Sequence, residues 1–232
     1  MEHWLTRTEL LLGQQKLERL KDARVVILGL GGVGSAAAEA ICRSGVGHLM
    51  LVDKDTVSLT NINRQLVATT ATLGRPKTTA LAERLLLINP ELDVTCREEF
   101  VLPDNSAFIW DYQPDYIVDC IDTVTAKLFL AEEAHKRSIK LISSMGAGGR
   151  VDPTQLRLGD ISQTAGTSCA LSRVIRRELK KRSVPTLDVV YSLETPSKVT
   201  VGEENGRHPP ASSAFVPPAA GLCLASFVVN RL

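Results

Sequence analysis

Residues 23–38, Ala23-Arg24-Val25-Val26-Ile27-Leu28-Gly29-Leu30-Gly31-Gly32-Val33-Gly34-Ser35-Ala36-Ala37-Ala38, decide how the chain folds. The apolar run over 23–28 predicts a strand that stops at a glycine cluster, and the Ala-rich stretch over 35–44 predicts a helix. A second apolar run over 48–52 predicts a strand ending at Asp53. Together they make a βαβ unit of about 30 residues, the minimum for a parallel pair with a crossover. A glycine-rich turn between strand and helix presents backbone N–H groups and a positive helix end to phosphate. Gly29, Gly31 and Gly34 have the spacing of such a turn, and Asp53 lies nineteen positions beyond Gly34, where a carboxylate can accept from ribose hydroxyls. A tight turn without a ligand is the competing reading. A nucleotide is expected, but the turn alone does not choose one, since NAD enzymes use the same geometry.

Outward from this unit the pattern continues. Residues 74–89 predict a helix with Leu81, Leu85 and Ile88 on one face, and 94–98 a strand. Residues 116–121 form an apolar run broken only by Asp119, as in a buried parallel strand. A helix over 126–136 and a strand over 139–143 complete a doubly wound pattern. After Gly146-Ala147-Gly148-Gly149, strands are expected over 155–159 and 187–192, with a helix over 172–182 between them. Residues 200–218 read as a loop rich in Gly, Pro and Ser, and 219–231 as an apolar helix without a C-cap, as at an abrupt terminus. The expected fold class is α/β: a Rossmann-like, mostly parallel sheet with helices on both faces, extended by antiparallel strands in the C-terminal third. One domain is expected, with a helical arm over 1–22, a nucleotide-binding core over 23–150 and a substrate-facing extension over 151–232.

Composition narrows the function. The 232 residues are 44% hydrophobic and 23% charged, and 27 Lys and Arg face 26 Asp and Glu. That is apolar enough for a core, with no global field for nucleic acid or membrane, so any basic footprint is local. Met1-Glu2-His3-Trp4 lacks a secretory signal, and no run reaches the ~18 apolar residues of a membrane helix. Cys42, Cys96, Cys120, Cys169 and Cys223 are odd in number and scattered, without a Cys-x-x-Cys pair. They suit reduced thiols in the cytoplasm, with no structural zinc expected.

The segment after Asp53 bears on the choice of nucleotide. It is polar through Asn61, Asn63, Arg64 and Gln65, then reaches Gly74-Arg75-Pro76-Lys77. Arg64 and Lys77 supply the fixed positive charge that a triphosphate needs and a nicotinamide does not. Asp122 follows a strand at the sheet edge where ligands bind, and can hold Mg²⁺ on phosphates. Each also has a plainer reading: Arg64 as a solvated charge, Lys77 as a helix opener, Asp122 as an N-cap. As a set around one loop they favour ATP.

These motifs, Gly-x-Gly-Gly-x-Gly, the Asp53 strand end, Asn61-x-x-Arg64-Gln65, Gly74-x-x-Lys77 and Asp122, resemble the ubiquitin-activating-enzyme-like superfamily that includes ThiF and MoeB, over about residues 5–150. The resemblance implies adenylation of a carboxylate with ATP and Mg²⁺, usually by a homodimer. It implies nucleotide contacts from Gly29, Gly31, Gly32, Gly34, Asp53, Asp55, Asn61, Arg64, Gln65, Lys77, Asp122 and Thr123, and an Arg7 that reaches the partner subunit's ATP. Within the superfamily, the missing zinc pairs, residues 119–127, Ser143-Ser144-Met145-Gly146-Ala147-Gly148, Asp152-Pro153-Thr154 and residues 173–182 resemble the tRNA threonylcarbamoyladenosine dehydratase branch. That branch uses ATP to cyclise the threonylcarbamoyl group on a tRNA adenosine beside the anticodon, and some relatives work with a sulfurtransferase-type partner.

The residues point to RNA on their own account. Arg173, Arg176, Arg177, Lys180, Lys181 and Arg182 crowd one predicted helix, relieved only by Glu178. In a chain of net charge +1 this is a local phosphate-binding footprint, with a solvated helix face as the plain alternative. No DNA partner is expected. Cys169, just before that helix, reads as a structural thiol, with a covalent role as its alternative. Two other functions stay open: adenylation of the C-terminal glycine of a ubiquitin-like or sulfur-carrier protein, and a non-catalytic nucleotide-binding module.

Overall fold

The computed structural model describes residues 3–199 and 210–232. Two short helices, α1 (Thr6–Leu12) and α2 (Gln14–Asp22), form the N-terminal arm and are separated by Gly13 at φ 83°. The expected βαβ unit follows as β1 (Arg24–Leu28), α3 (Gly32–Arg43) and β2 (His48–Val52). Next come α4 (Lys77–Leu86), β3 (Asp93–Arg97), α5 (Ala107–Asp111), β4 (Tyr116–Asp119), α6 (Val124–Arg137) and β5 (Lys140–Ser144). The chain ends with β6 (Leu156–Asp160), α7 (Ala170–Lys181), β7 (Asp188–Ser192) and α8 (Val216–Arg231).

The seven strands form one sheet in the order β3-β2-β1-β4-β5-β7-β6. The chain winds outward from β1 through β2 to β3, then returns to place β4 on the other flank of β1. This reversal opens a crevice at the carboxyl ends of β1 and β4. Because side chains alternate across a strand, Val25 and Ile27 join one apolar layer with α3, α4 and α8, while Val26 and Leu28 join a second with α5, α6 and α7.

The C-terminal extension carries the expected antiparallel pair, β6 with β7. β7 runs parallel to β5, and only β6 runs against the rest, paired with β7. Val189 and Val190 are enclosed on this interior strand, whereas β6 is a half-exposed edge. Part of the loop expected over 200–218 lies outside the described residues, at 200–209. Its end is helical, because Pro217 and Pro218 stand in the first turn of α8, where a missing N–H costs no helical bond. That helix lies against α3: a Cβ on Gly221 would stand 2.3 Å from the Val33 carbonyl oxygen. It therefore braces the glycine turn from behind.

Candidate active site

The expected nucleotide residues gather at the carboxyl ends of β1, β2 and β4. Gly29 leaves β1 at φ 84°, and Gly31 caps α3 without a side-chain bond. Such a helix end offers its first N–H groups to a ligand. The turn is too tight for any side chain at Gly34, where a Cβ would stand 1.8 Å from the Gly29 carbonyl oxygen. At Gly31, by contrast, the nearest atom to a Cβ is Gln65 Nε2 at 3.9 Å. This open step above the helix end has room for a phosphate.

Asp53 links the turn to the next loop. Its Oδ2 accepts from the Leu30 N–H at 2.6 Å and its Oδ1 from the Asp55 N–H at 2.8 Å. Asp55 in turn pairs with Lys77, Nζ to Oδ2, at 3.2 Å. Lys77 is the first residue of α4, and its side chain is only 7% exposed. An enclosed ammonium next to a single half-exposed carboxylate is well placed to take further acceptors from phosphate.

The motif from Asn61 to Gln65 folds over the same turn. Asn61 is buried, and its Oδ1 accepts from the Ser58 N–H at 3.1 Å, so its amide shapes the short 3₁₀ turn Leu59–Asn61. Arg64 Nη1 donates to Thr60 O and Asn63 Oδ1, both at 2.8 Å, and the Arg64 carbonyl lies beside Gly32. Gln65 is buried, and its Oε1 has no hydrogen-bond partner. Its Nε2 is the atom nearest the open step at Gly31, so the amide N–H can donate to a phosphate there.

Asp122 is exposed just past β4, on the flank where the strand order reverses. The N-cap of α6 is Thr123, whose hydroxyl lies 3.4 Å from Asp122 Oδ1. Mg²⁺ is usually held by one or two carboxylates together with phosphate oxygens and waters, and Asp122 beside the glycine turn fits that donor set.

Two expected groups stand elsewhere. Arg7 is exposed on α1, two residues from Leu5, which lies against Gly45 at the far end of α3. It does not join the nucleotide residues of its own chain. The basic helix α7 runs across the sheet from one edge to the other. Its start, Cys169, abuts Gly146 just past β5, while Leu187 beyond its end leads into β7. Arg173 therefore lies nearest the nucleotide edge, and Lys180, Lys181 and Arg182 lie toward the opposite one. These four and Arg177 are exposed, whereas Arg176 is half-buried and donates to Thr164 Oγ1 at 2.7 Å. Lys181, Arg182 and Arg177 bond Glu178 and hold its carboxyl down at about 2.

Cys169 is 4% exposed and caps α7, its Sγ accepting from the Ser172 N–H at 3.5 Å. Burial pushes its thiol up, but donors from Ser172 and Gly146 and the Arg150 charge bring the net shift below the ordinary value. Burial raises the other four thiols, Cys42 to about 11. The cap gives Cys169 a place in the fold, and both readings of the thiol stay open.

Sequence reasoning missed a buried cluster below Asp122. Lys127 and Asp119, 0% and 1% exposed, form an ion pair at 2.9 Å. Ser143 Oγ accepts from Lys127 Nζ at 2.8 Å and donates to Asp119 Oδ2 at 2.7 Å. Removing one member of such a pair typically costs about 3–5 kcal/mol, because the other charge is left buried. The signals in the sequence are Asp119, a lone charge in an apolar strand, and the place of all three residues in the segments that carry the family resemblance.

Comparison with known proteins places these features in a family. The model of the ThiF family matches residues 5–202. The tRNA threonylcarbamoyladenosine dehydratase of Bacillus subtilis is 42% identical over 244 residues, covering 100% of this chain and 95% of the relative. The crystal structure of the Escherichia coli tRNA N6-threonylcarbamoyladenosine dehydratase in complex with ATP superposes with a TM-score of 0.87 at 33% identity, covering 97% of this chain and 91% of that one. Its complex with AMP gives 0.86 at 34% identity, covering 97% and 92%.

Proposed function

The chain belongs to the ThiF family, and from that premise we propose that it is an ATP-dependent tRNA threonylcarbamoyladenosine dehydratase. The observation that carries this reading is one sheet edge bearing the open step at Gly31, the enclosed Lys77 and the exposed Asp122. It stands in a chain that aligns from end to end with a dehydratase.

The threonyl carboxylate of the modified nucleoside attacks the α-phosphorus of ATP, and the bond to pyrophosphate breaks. The amides of the glycine turn, with Arg64 and Lys77, offset the negative charge that builds during this transfer. Asp53 holds the ribose, and Gln65 closes the step above Gly31. Asp122 would hold Mg²⁺, which when bound would draw charge from the phosphate oxygens. The carbamoyl group of the same nucleoside then attacks the activated carbonyl and AMP leaves, so the oxygen lost from the nucleoside ends in AMP. Ring closure within one molecule gains from proximity and needs no protein nucleophile.

The arm over 1–22, the nucleotide core over 23–150 and the RNA-facing extension over 151–232 divide the work. We place Arg7 in the partner's site of a homodimer. Support comes from α1, which buries none of its residues and leaves Leu10 and Leu11 84% and 82% exposed. The exposed face of α7 takes tRNA phosphates. No helix among the described residues is long and apolar enough to cross a membrane. Five free cysteines suit the cytoplasm, where thiols stay reduced. A sulfurtransferase-type protein partner belongs to the same proposal, and co-elution on gel filtration tests it.

The reaction is tested by incubating the chain with ATP, Mg²⁺ and tRNA bearing threonylcarbamoyladenosine, then weighing the digested nucleosides. A nucleoside lighter by one water, formed only with ATP, is the expected product. An unchanged nucleoside spectrum would remove the assignment.

A further inference from the structure

Residues 119–127 form a loop closed by its own ends. Asp119 ends β4, and Lys127 lies one turn into α6, where its N–H donates to the Thr123 carbonyl at 3.1 Å. Lys127 Nζ reaches back to Asp119, 2.9 Å from Oδ2 and 3.4 Å from the carbonyl oxygen. Asp119 Oδ1 accepts from the Ile121 N–H at 3.1 Å, and Ser143 of β5 bonds both charged groups. Asp122 stands within this loop. At its start, the Cys120 N–H donates to the Leu28 carbonyl at 2.8 Å, and the Cys120 carbonyl faces Gly29. The loop that this clasp closes thus touches the glycine turn through Cys120 and carries Asp122.

Stability alone gives a weak reason for such a clasp, because a well-packed apolar pair commonly serves as well as a buried ion pair. We propose that the buried cluster of Lys127, Asp119 and Ser143 positions Asp122 against the glycine turn, and so sets how well the site holds Mg·ATP. Lys127 and Ser143 are positioning residues, since both are enclosed beneath the site. The inference rests on the role given above to Asp122.

The test is a double-mutant cycle read by equilibrium binding of Mg·ATP, with AMP formation as a second readout. The clasp is removed by Asp119→Asn with Lys127→Met, which leaves no lone buried charge and keeps an acceptor for the Ile121 N–H. This change is expected to weaken Mg·ATP binding about 10- to 100-fold when Asp122 is present, the range for a misplaced site group. In an Asp122→Asn background the same change is expected to cost less than about threefold, because the group it positions is gone. Equal losses in both backgrounds would overturn the proposal. If the double variant does not fold, Ser143→Ala decides: it keeps the ion pair, and a loss that depends on Asp122 is still expected. No effect of Ser143→Ala in either background then overturns it. Should Asp122→Asn alone bind Mg·ATP as tightly as the unaltered chain, the role of Asp122 fails first and the inference goes with it.

Discussion

Lys77 is the residue at which the loss of one charge tells most. It opens α4, where a positive group opposes the helix dipole, and its partner Asp55 is 55% exposed. Replacing it with Ala loses the Asp55 pair and the packing of its enclosed stem, so a cost of about 1 kcal/mol is expected with the fold intact. Lys77→Ala is expected to slow AMP formation about 10²- to 10³-fold, the usual cost of losing one fixed donor to a developing charge. A thermal melt and an AMP assay on the same preparation check both halves, and wild-type turnover would remove Lys77 from the site. Lys77 and Asp122 stand out in the sequence as a lysine closing the Gly74–Lys77 run and a carboxylate just past an apolar strand. Lys127 does not. A lysine early in a predicted helix reads as solvated, and only the arrival of Ser143 from β5 shows it to be enclosed. Asn61 shows the converse, since its motif was legible but its Oδ1 is spent on the Ser58 N–H.

At the scale of elements, α7 and β6 carry separate predictions. Replacing Arg173, Arg177 and Lys180 with Ala removes three exposed cations and should leave the helix intact, because Ala is the best helix former. Binding of tRNA should weaken for all sequences, and the salt slope should fall by about 1 for each phosphate no longer neutralised. ATP affinity should not move. An unchanged salt slope would return α7 to a solvated surface.

Asp160 ends β6 and anchors it. Burial pushes its carboxyl up, but the side chain and N–H of Ser162 and the N–H groups of Leu187 and Ile161 bring it net below the ordinary 3.8. A carboxyl lowered by folding adds stability above its unfolded pKa, and that contribution fades as pH falls through the lower folded value. Asp160→Ala should therefore cost about 1 kcal/mol at neutral pH. Denaturant melts should show the gap to wild type closing in acid, and a gap constant with pH would contradict this account. The parallel core was legible because β1, β2 and β4 are apolar runs with helical spacing between them. The direction of β7 was not, since a long connection through α7 can return a strand either way. The parallel register with β5, from Ile142 opposite Asp188 to Ser144 opposite Val190, gives it.

Across the whole molecule, the winding order decides where chemistry sits. The reversal between β1 and β4 brings Asp53, Lys77 and Asp122 to one edge from three separate stretches of chain. The same winding keeps Arg7 at the far end of α3, away from its own chain's nucleotide residues. The acceptor itself leaves little trace in the residues, since the contact proposed for α7 is with phosphate and not with the modified base. The most direct measurement is therefore AMP release from ATP and Mg²⁺ with three candidate acceptors: tRNA bearing threonylcarbamoyladenosine, unmodified tRNA, and a carrier protein ending in Gly-Gly. One AMP per modified nucleoside cyclised, with neither of the other acceptors active, is the predicted result. AMP release or pyrophosphate exchange driven by the carrier protein, or silence with all three, would contradict it.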